Sequence, residues 1–321
     1  MTTEVGQNDR SRISPAGDRI HALIENIERV IFGKREAITQ AVVGLLAGGH
    51  VLLEDVPGTG KTTLARAIAR SIQGEFRRIQ FTSDLLPTDV LGVTVFASDT
   101  ATFRFRPGPI FANVVLADEL NRTTPRTQSS LLEAMNSRSV SLEGVTKELP
   151  LPFLVIATQN PLEFEGTYPL PESQLDRFLL RIRLGYPGRA SEREMLMRQV
   201  KAHPLDSIEP VLELSEILEL MEQVQQVRVD EAIVDYIVSL AEVTRHGGRF
   251  ALGASPRACL GLFRAAQAKA LVENRDYCTP DDVKGLFVPV LAHRVIPAMS
   301  EGRSSTSDLL EEVLGAVAVP D

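Results

Sequence analysis

The chain has 321 residues, 44% of them hydrophobic and 24% charged, with a formal net charge of −8. Such a composition fits an ordinary soluble globular protein, and the length accommodates about two domains with buried cores. The acidic balance argues against free DNA or an anionic membrane as the main partner, although a local basic patch remains compatible with it. No apolar run approaches the roughly 18 residues of a membrane span, and no N-terminal apolar segment reads as a signal peptide. The expected location is therefore the cytoplasm. Two cysteines, Cys259 and Cys278, are expected as reduced thiols. His21, His50, His203, His246 and His293 are scattered without metal-ligand spacing, so no structural zinc is expected.

Met1 to Asp9 is polar and expected to fray. Ser14-Pro15 supplies an N-cap and first-turn proline for a helix whose apolar stripe is Ile20, Leu23, Ile24, Ile27 and Val30. A second helix is predicted from Glu36 to Leu46, closed by Gly48-Gly49. The short strand Val51-Leu52-Leu53, a glycine-rich loop and a helix through Leu64, Ala65, Ile68 and Ala69 follow. Phe76 to Phe81 reads as a strand. Leu91 to Phe96 and Thr102 to Arg106 read as two more, around the turn Ser98-Asp99-Thr100. Asn113 to Asp118 is a buried strand, followed by a helix from Pro125 to Asn136 capped by Thr123 or Thr124. Ser139 to Leu142 and Thr146 to Leu149 flank Glu143-Gly144 as a second hairpin, and strands at Phe153 to Ala157 and Phe178 to Leu184 complete the set.

Apolar strands alternating with helices imply a parallel α/β sheet covered on both faces. After Gly185-Tyr-Pro-Gly188 the patterns are helical only, over 191–201, 214–226, 230–246, 256–273 and 280–292. The expected organisation is a flexible N-terminus (1–17), an α/β core (18–187) and a helical domain (188–321).

Asp55-Val-Pro-Gly-Thr-Gly-Lys-Thr62 matches the phosphate-loop pattern G-x-x-x-x-G-K-[ST], except that Asp55 replaces the first glycine. Gly58 and Gly60 permit the sharp bend, and backbone N–H groups with the following helix N-terminus would face phosphates. Lys61 would neutralise the β- and γ-phosphates, and Thr62 would bind Mg²⁺. Pro57, Gly58, Thr59, Gly60, Lys61, Thr62 and Thr63 are the candidate nucleotide contacts. The strand ending in Asp118-Glu119 supplies the acidic centre: Asp118 for the metal and nucleotide, Glu119 to polarise the attacking water. Carboxylates at the C-terminal end of a parallel strand lie where ligands of open α/β sheets bind.

With these motifs the chain resembles an AAA+ P-loop ATPase along nearly its whole length. The resemblance implies a C-terminal helical lid domain and further site residues. Ala157-Thr-Gln-Asn160-Pro resembles sensor 1, with Asn160 positioning the lytic water. Leu175-Asp176-Arg177-Phe178 resembles the arginine-finger region, in which Arg177 reaches a γ-phosphate held by a neighbouring subunit; a surface salt bridge is the plainer alternative. Gly253-Ala-Ser-Pro-Arg257 resembles sensor 2, with Arg257 placed against the helix dipole. Val30-Ile31-Phe32-Gly33 resembles the segment lying against adenine, although Ile31 and Phe32 equally suit a core.

Two inserted hairpins, over 85–110 and about 138–150, are features of the clade containing MoxR proteins, magnesium-chelatase motor subunits and MCM helicases. Three stretches resemble MoxR most: His50 to Thr62, Asp118 to Arg122 through Gln128 to Ala134, and Pro171 to Phe178. Asp55 is acceptable in that family. The resemblance implies a homo-oligomeric ring, usually a hexamer, that hydrolyses ATP with Mg²⁺ and remodels protein clients as a chaperone. A partner with a von Willebrand factor A domain would be a separate polypeptide, because the chain has no D-x-S-x-S signature. Whether Arg257 acts on its own nucleotide or a neighbour's is open, as is an interface role for Arg122. The alternatives are a DNA-acting motor of the same clade and an ATP-sensing protein without hydrolysis. Phe103-Arg104-Phe105-Arg106 could serve the former, but strand alternation favours phenylalanines facing the protein and arginines facing solvent. His293 and Arg294 are assigned interdomain packing and no chemistry.

Overall fold

The structure, a computed structural model, describes residues 15–98, 101–160, 166–199, 204–298 and 305–320. Met1 to Asp9, the N-cap Ser14, Asp99-Thr100 of the first hairpin turn, Pro161 and His203 lie outside the described residues.

Helices α1 (Pro15–Glu28) and α2 (Arg35–Leu46) precede strand β1 (Val51–Glu54), the glycine-rich loop and α3 (Lys61–Ser71). Strand β2 (Phe76–Gln80) leads to a short helix α4 (Pro87–Leu91) and the hairpin β3 (Gly92–Ala97) with β4 (Thr102–Pro107). Then come β5 (Val114–Asp118), α5 (Pro125–Ser137), the hairpin β6 (Ser139–Leu142) with β7 (Val145–Glu148), β8 (Leu154–Gln159), α6 (Glu172–Leu175) and β9 (Leu180–Ile182). The remainder carries α7 (Arg189–Gln199), α8 (Leu214–Gln226), α9 (Glu231–His246), β10 (Phe250–Leu252), α10 (Pro256–Val272), α11 (Pro280–Leu291), β11 (Ile296–Pro297) and α12 (Thr306–Ala316).

Several features depart from the sequence expectation, among them the single-turn helix α6. Helix α4 is a single capped turn in which the Asp89 carboxylate accepts from the Leu86 N–H at 2.9 Å, too short for a periodic signal. Helix α12 starts at a reciprocal cap between Ser305 and Asp308. Strands β10 and β11 pair antiparallel, Phe250 opposite Pro297, so the C-terminal part is not wholly helical. Both strands are too short to declare themselves locally.

Five strands form one parallel sheet in the order β2-β5-β8-β1-β9. Alternate residues of the central strands β5, β8 and β1 enter different cores, as the two-residue period requires. Leu53, Leu116 and Ile156 join a core with α1, α2, α3 and the C-terminal helices. Leu52, Val115 and Val155 join a second core with Leu131, Leu132 and Met135 of α5. Helix α10 packs against α1, α2, α8 and α11, which ties the helical part to the first core.

His50 sits at the amino-terminal foot of β1, 5% exposed. Its Nδ1 accepts from the Val155 N–H at 3.1 Å, so Nε2 carries the proton and donates to the Met135 carbonyl at 3.1 Å. Burial pushes its pKa down to about 4, whereas the unfolded chain titrates near the usual histidine value of about 6.5. Below pH 6.5 the unfolded state binds a proton that the folded state refuses, so His50 stability is present above that pH and lost as pH falls toward 4. Between pH 7 and pH 5 the expected loss from this ring is about 2 kcal/mol. Denaturant unfolding at the two pH values should show it, with a shallower pH dependence in His50→Phe; equal slopes would exclude the assignment.

Candidate nucleotide site

The carboxyl-terminal ends of β1, β2, β5 and β8 bring the first group of expected residues together. After β1 the backbone turns through Gly58 (φ 85°) and Gly60 (φ 95°), left-handed conformations that side-chain-bearing residues adopt at a cost. Gly60 is the N-cap of α3 and offers no side-chain cap, so the first N–H groups of that helix remain available to phosphate oxygens. The Lys61 ammonium donates to the carbonyls of Asp55 (2.7 Å) and Val56 (3.3 Å), which holds it over the loop. The Thr59 hydroxyl donates to the Val56 carbonyl at 3.2 Å and tightens the turn between Pro57 and Gly60. Thr62 and Thr63 open α3, half-buried.

Asp55 needs no left-handed backbone, which is why a residue other than glycine fits there. Its buried carboxylate accepts from the Val56 N–H at 2.8 Å and from the Gly185 N–H beyond β9. The departure from the glycine pattern therefore ties the base of the loop to the segment leading into α7. Nearby, Ile31 lies against the loop: a Cβ at Gly60 would stand 3.7 Å from its Cδ1. Ile31 is buried, Phe32 half-buried and Gly33 exposed with φ 67°, where Ser191 leaves no room for a side chain.

The acidic centre is a network. The Thr158 hydroxyl, on β8, donates to Asp118 Oδ1 at 2.7 Å and accepts from the Glu119 N–H at 2.8 Å. Arg78, on β2, donates to Asp118 Oδ2 at 2.6 and 3.0 Å. Glu119 takes a left-handed backbone (φ 58°) at the end of β5, and its Oε2 accepts from Gln80 at 2.8 Å and from Arg122 at 3.1 Å. Asn160 stands just beyond β8, buried. Sequence reading missed Thr158, Arg78 and Gln80. The only signal for them was polarity at strand ends, and the pairing of Gln80 with Asp118 across β2 and β5 depends on strand order.

Arg177 and Arg257 are not part of this cluster. They line a pocket of about 230 Å³ with Arg138, Arg264 and Arg294, beside Gly49 and His50 before β1 and Leu179 before β9. That is the amino-terminal end of the same strands. The Arg177 guanidinium donates to the Leu132 carbonyl at 2.6 Å, and Arg257 donates to the Asn136 side chain. Asp176 faces two cations, Arg294 at 3.3 Å and Arg257 at 3.9 Å. Burial pushes the Arg294 pKa down to about 10, which still leaves it charged at neutral pH.

The first inserted hairpin corrects one expectation. Phe105 packs edge-on against Phe111 with Lys147 over its face, but Phe103 is 74% exposed and touches Phe96 near the tip. The two phenylalanines share a hairpin face that outruns the body of the protein, so only the inner one is covered.

Residues 50–180 match the ATPase family associated with various cellular activities (AAA), and residues 242–313 match the AAA lid domain. The protein YeaC of Bacillus subtilis is 50% identical over 92% of this chain and 93% of its own length. Chaperone MoxR1 of Mycobacterium tuberculosis is 42% identical over 94% of this chain and 83% of its own. A crystal structure from Cytophaga hutchinsonii, 36% identical, superposes with a TM-score of 0.88 over 95% of this chain and 96% of that one. The parallel sheet, the phosphate loop with its acidic strand end and these relatives agree: the chain belongs to the MoxR family of AAA+ ATPases.

Proposed function

We propose that this ATPase completes its hydrolytic site between copies of the chain in a closed, hexameric ring, and uses the turnover to remodel protein clients. One observation carries the proposal: the phosphate loop and Glu119 lie at the carboxyl-terminal ends of the strands, Arg177 and Arg257 at the amino-terminal ends. Residues 50 and 55 flank β1, a separation of about 16 Å at roughly 3.3 Å per residue, beyond the reach of an arginine side chain. The two half-sites can meet only if one copy's basic pocket docks on the next copy's nucleotide. Such a contact joins unlike faces, the kind of interface that forms a ring when the rotation between neighbours closes.

Within one copy, the loop N–H groups and Lys61 would hold the phosphates, with Ile31, Phe32 and Gly33 beside the base. Glu119 would polarise the attacking water, aimed by Thr158 and Gln80, and Asn160 would help place it. A divalent cation fits the donor set. Thr62 presents a hydroxyl, and Asp118 keeps acceptor capacity beyond its bonds to Thr158 and Arg78, enough to hold a hydrated ion. Bound there, Mg²⁺ would neutralise charge on the phosphate oxygens. From the next copy, Arg177 and Arg257 would stabilise the charge developing on the transferred phosphoryl group.

The chaperone reading is supported by the kinship with Chaperone MoxR1. A separate von Willebrand factor A protein remains the proposed partner. No described helix is long and apolar enough to cross a membrane.

Glu119→Gln should bind a fluorescent ATP analogue normally yet release no phosphate, and undiminished release would remove Glu119 from the role of base. Thr158→Val preserves shape but strips the bridge between Asp118 and Glu119, removing the partner of Asp118 Oδ1 and of the Glu119 N–H. Its kcat should fall about 10- to 100-fold with nucleotide affinity retained. Arg177→Ala should lose about a thousandfold or more. Mixing Arg177→Ala with Glu119→Gln chains, each inactive alone, should restore turnover at interfaces that pair an intact loop with an intact arginine pocket. No recovery in a mixture that still assembles would overturn the shared site.

A further inference from the structure

We infer that Arg294, contributed by the C-terminal part, is a positioning residue for the arginine half-site: it neutralises Asp176 and clamps the backbone around Arg177, leaving Arg257 able to engage an incoming phosphate. The inference rests on the shared-site reading above and adds to it a residue from the other end of the sequence.

Arg294 follows α11, and its side chain is 3% exposed. Nη2 donates to the Phe178 carbonyl at 2.6 Å and to the Asp176 carbonyl at 3.3 Å, carbonyls of the two residues that flank Arg177. Nε stands 3.3 Å from Asp176 Oδ1, an ion pair in which neither atom makes a hydrogen bond among the described residues. The adjacent His293 adds a bond from Nε2 to the same Phe178 carbonyl at 2.8 Å. Two consecutive side chains thus fix the segment that carries the finger.

Packing alone gives little reason for a guanidinium here. Its surroundings include Leu179 and Gly261, and an apolar residue of similar volume commonly serves stability as well as a buried ion pair does. A planar fork is needed where several acceptors must be held in fixed relation. Helix α10 accommodates it through Gly261, where a Cβ would come within 2.9 Å of Arg294 Nη1. That Nη1 is buried and has no hydrogen-bond partner among the described residues.

Arg257 is half exposed and only 3.9 Å from Asp176 Oδ2, so Asp176 competes with any phosphate for it. Arg294 holds the carboxylate from the buried side and weakens that competition. Without Arg294, Asp176 would draw Arg257 inward and Arg177 would lose its backbone anchor.

The test uses the complementation assay with full-length chains. Glu119→Gln supplies the arginine pocket and Arg177→Ala supplies the loop. Adding Arg294→Met to the Glu119→Gln chain should cut recovered kcat about tenfold or more, with the KM for ATP within about twofold, because the loop side is untouched. Gly261→Ala in the same chain should act in the same direction by displacing Nη1, although alanine is the better helix former. Arg294→Lys, which keeps charge but not the fork, should recover only part. Full recovery with Arg294→Met, in a chain that binds the ATP analogue normally, overturns the inference. If that chain does not fold, full recovery with Gly261→Ala overturns it instead. Should the parent pair, Glu119→Gln with Arg177→Ala, fail to complement, the shared-site reading falls first and the inference with it.

Discussion

All five strands of the main sheet run in one direction, and most of the chemistry of this protein follows from that constraint. A parallel sheet gathers every segment that leaves a strand at one end and every segment that enters a strand at the other. The glycine loop after β1, Glu119 after β5 and Asn160 after β8 therefore share one end without being near in sequence. By the same rule Gly49, Leu179 and the arginines beside them gather at the far end. A sheet about five residues deep is thick enough to keep the two groups apart within one copy.

At the carboxyl end the acidic pair is arranged by hydrogen bonds more than by its own backbone. Thr158 bridges Asp118 and Glu119, donating to one and accepting from the other, so the hydroxyl fixes both at once. Gln80 and Arg122 converge on a single oxygen of Glu119, which leaves the other carboxylate oxygen outside those bonds. Asp55 makes the complementary link on the loop side, joining its base to Gly185 at the exit from the sheet. Motion of the loop is thereby mechanically connected to the segment that leads into the helical part.

At the amino end the helical part reaches back onto the core. His293 and Arg294 bind carbonyls around Arg177, and Arg257 comes from the start of α10. The arginine pocket is thus built jointly by the two ends of the sequence. A shift of the helical part relative to the sheet would therefore alter this pocket.

The sequence by itself determined the strand–loop–helix unit at Val51 to Ser71, the acidic end of β5 and most of the helices, because these depend on local periodicity, glycine freedom and capping. It also sufficed for the family, through the order of its motifs. It could not show that Gln80 and Arg78 face the acidic pair, because that requires β2 to lie beside β5, a pairing set by how the helices pack across the sheet. Nor could it place Arg177 and Arg257 relative to the phosphate loop, which depends on the direction of strands far apart in the chain. Arg294 looked like simple packing for the same reason. Its partners lie more than a hundred residues away, and only the folded contact between α11 and the core gives a buried guanidinium something to hold.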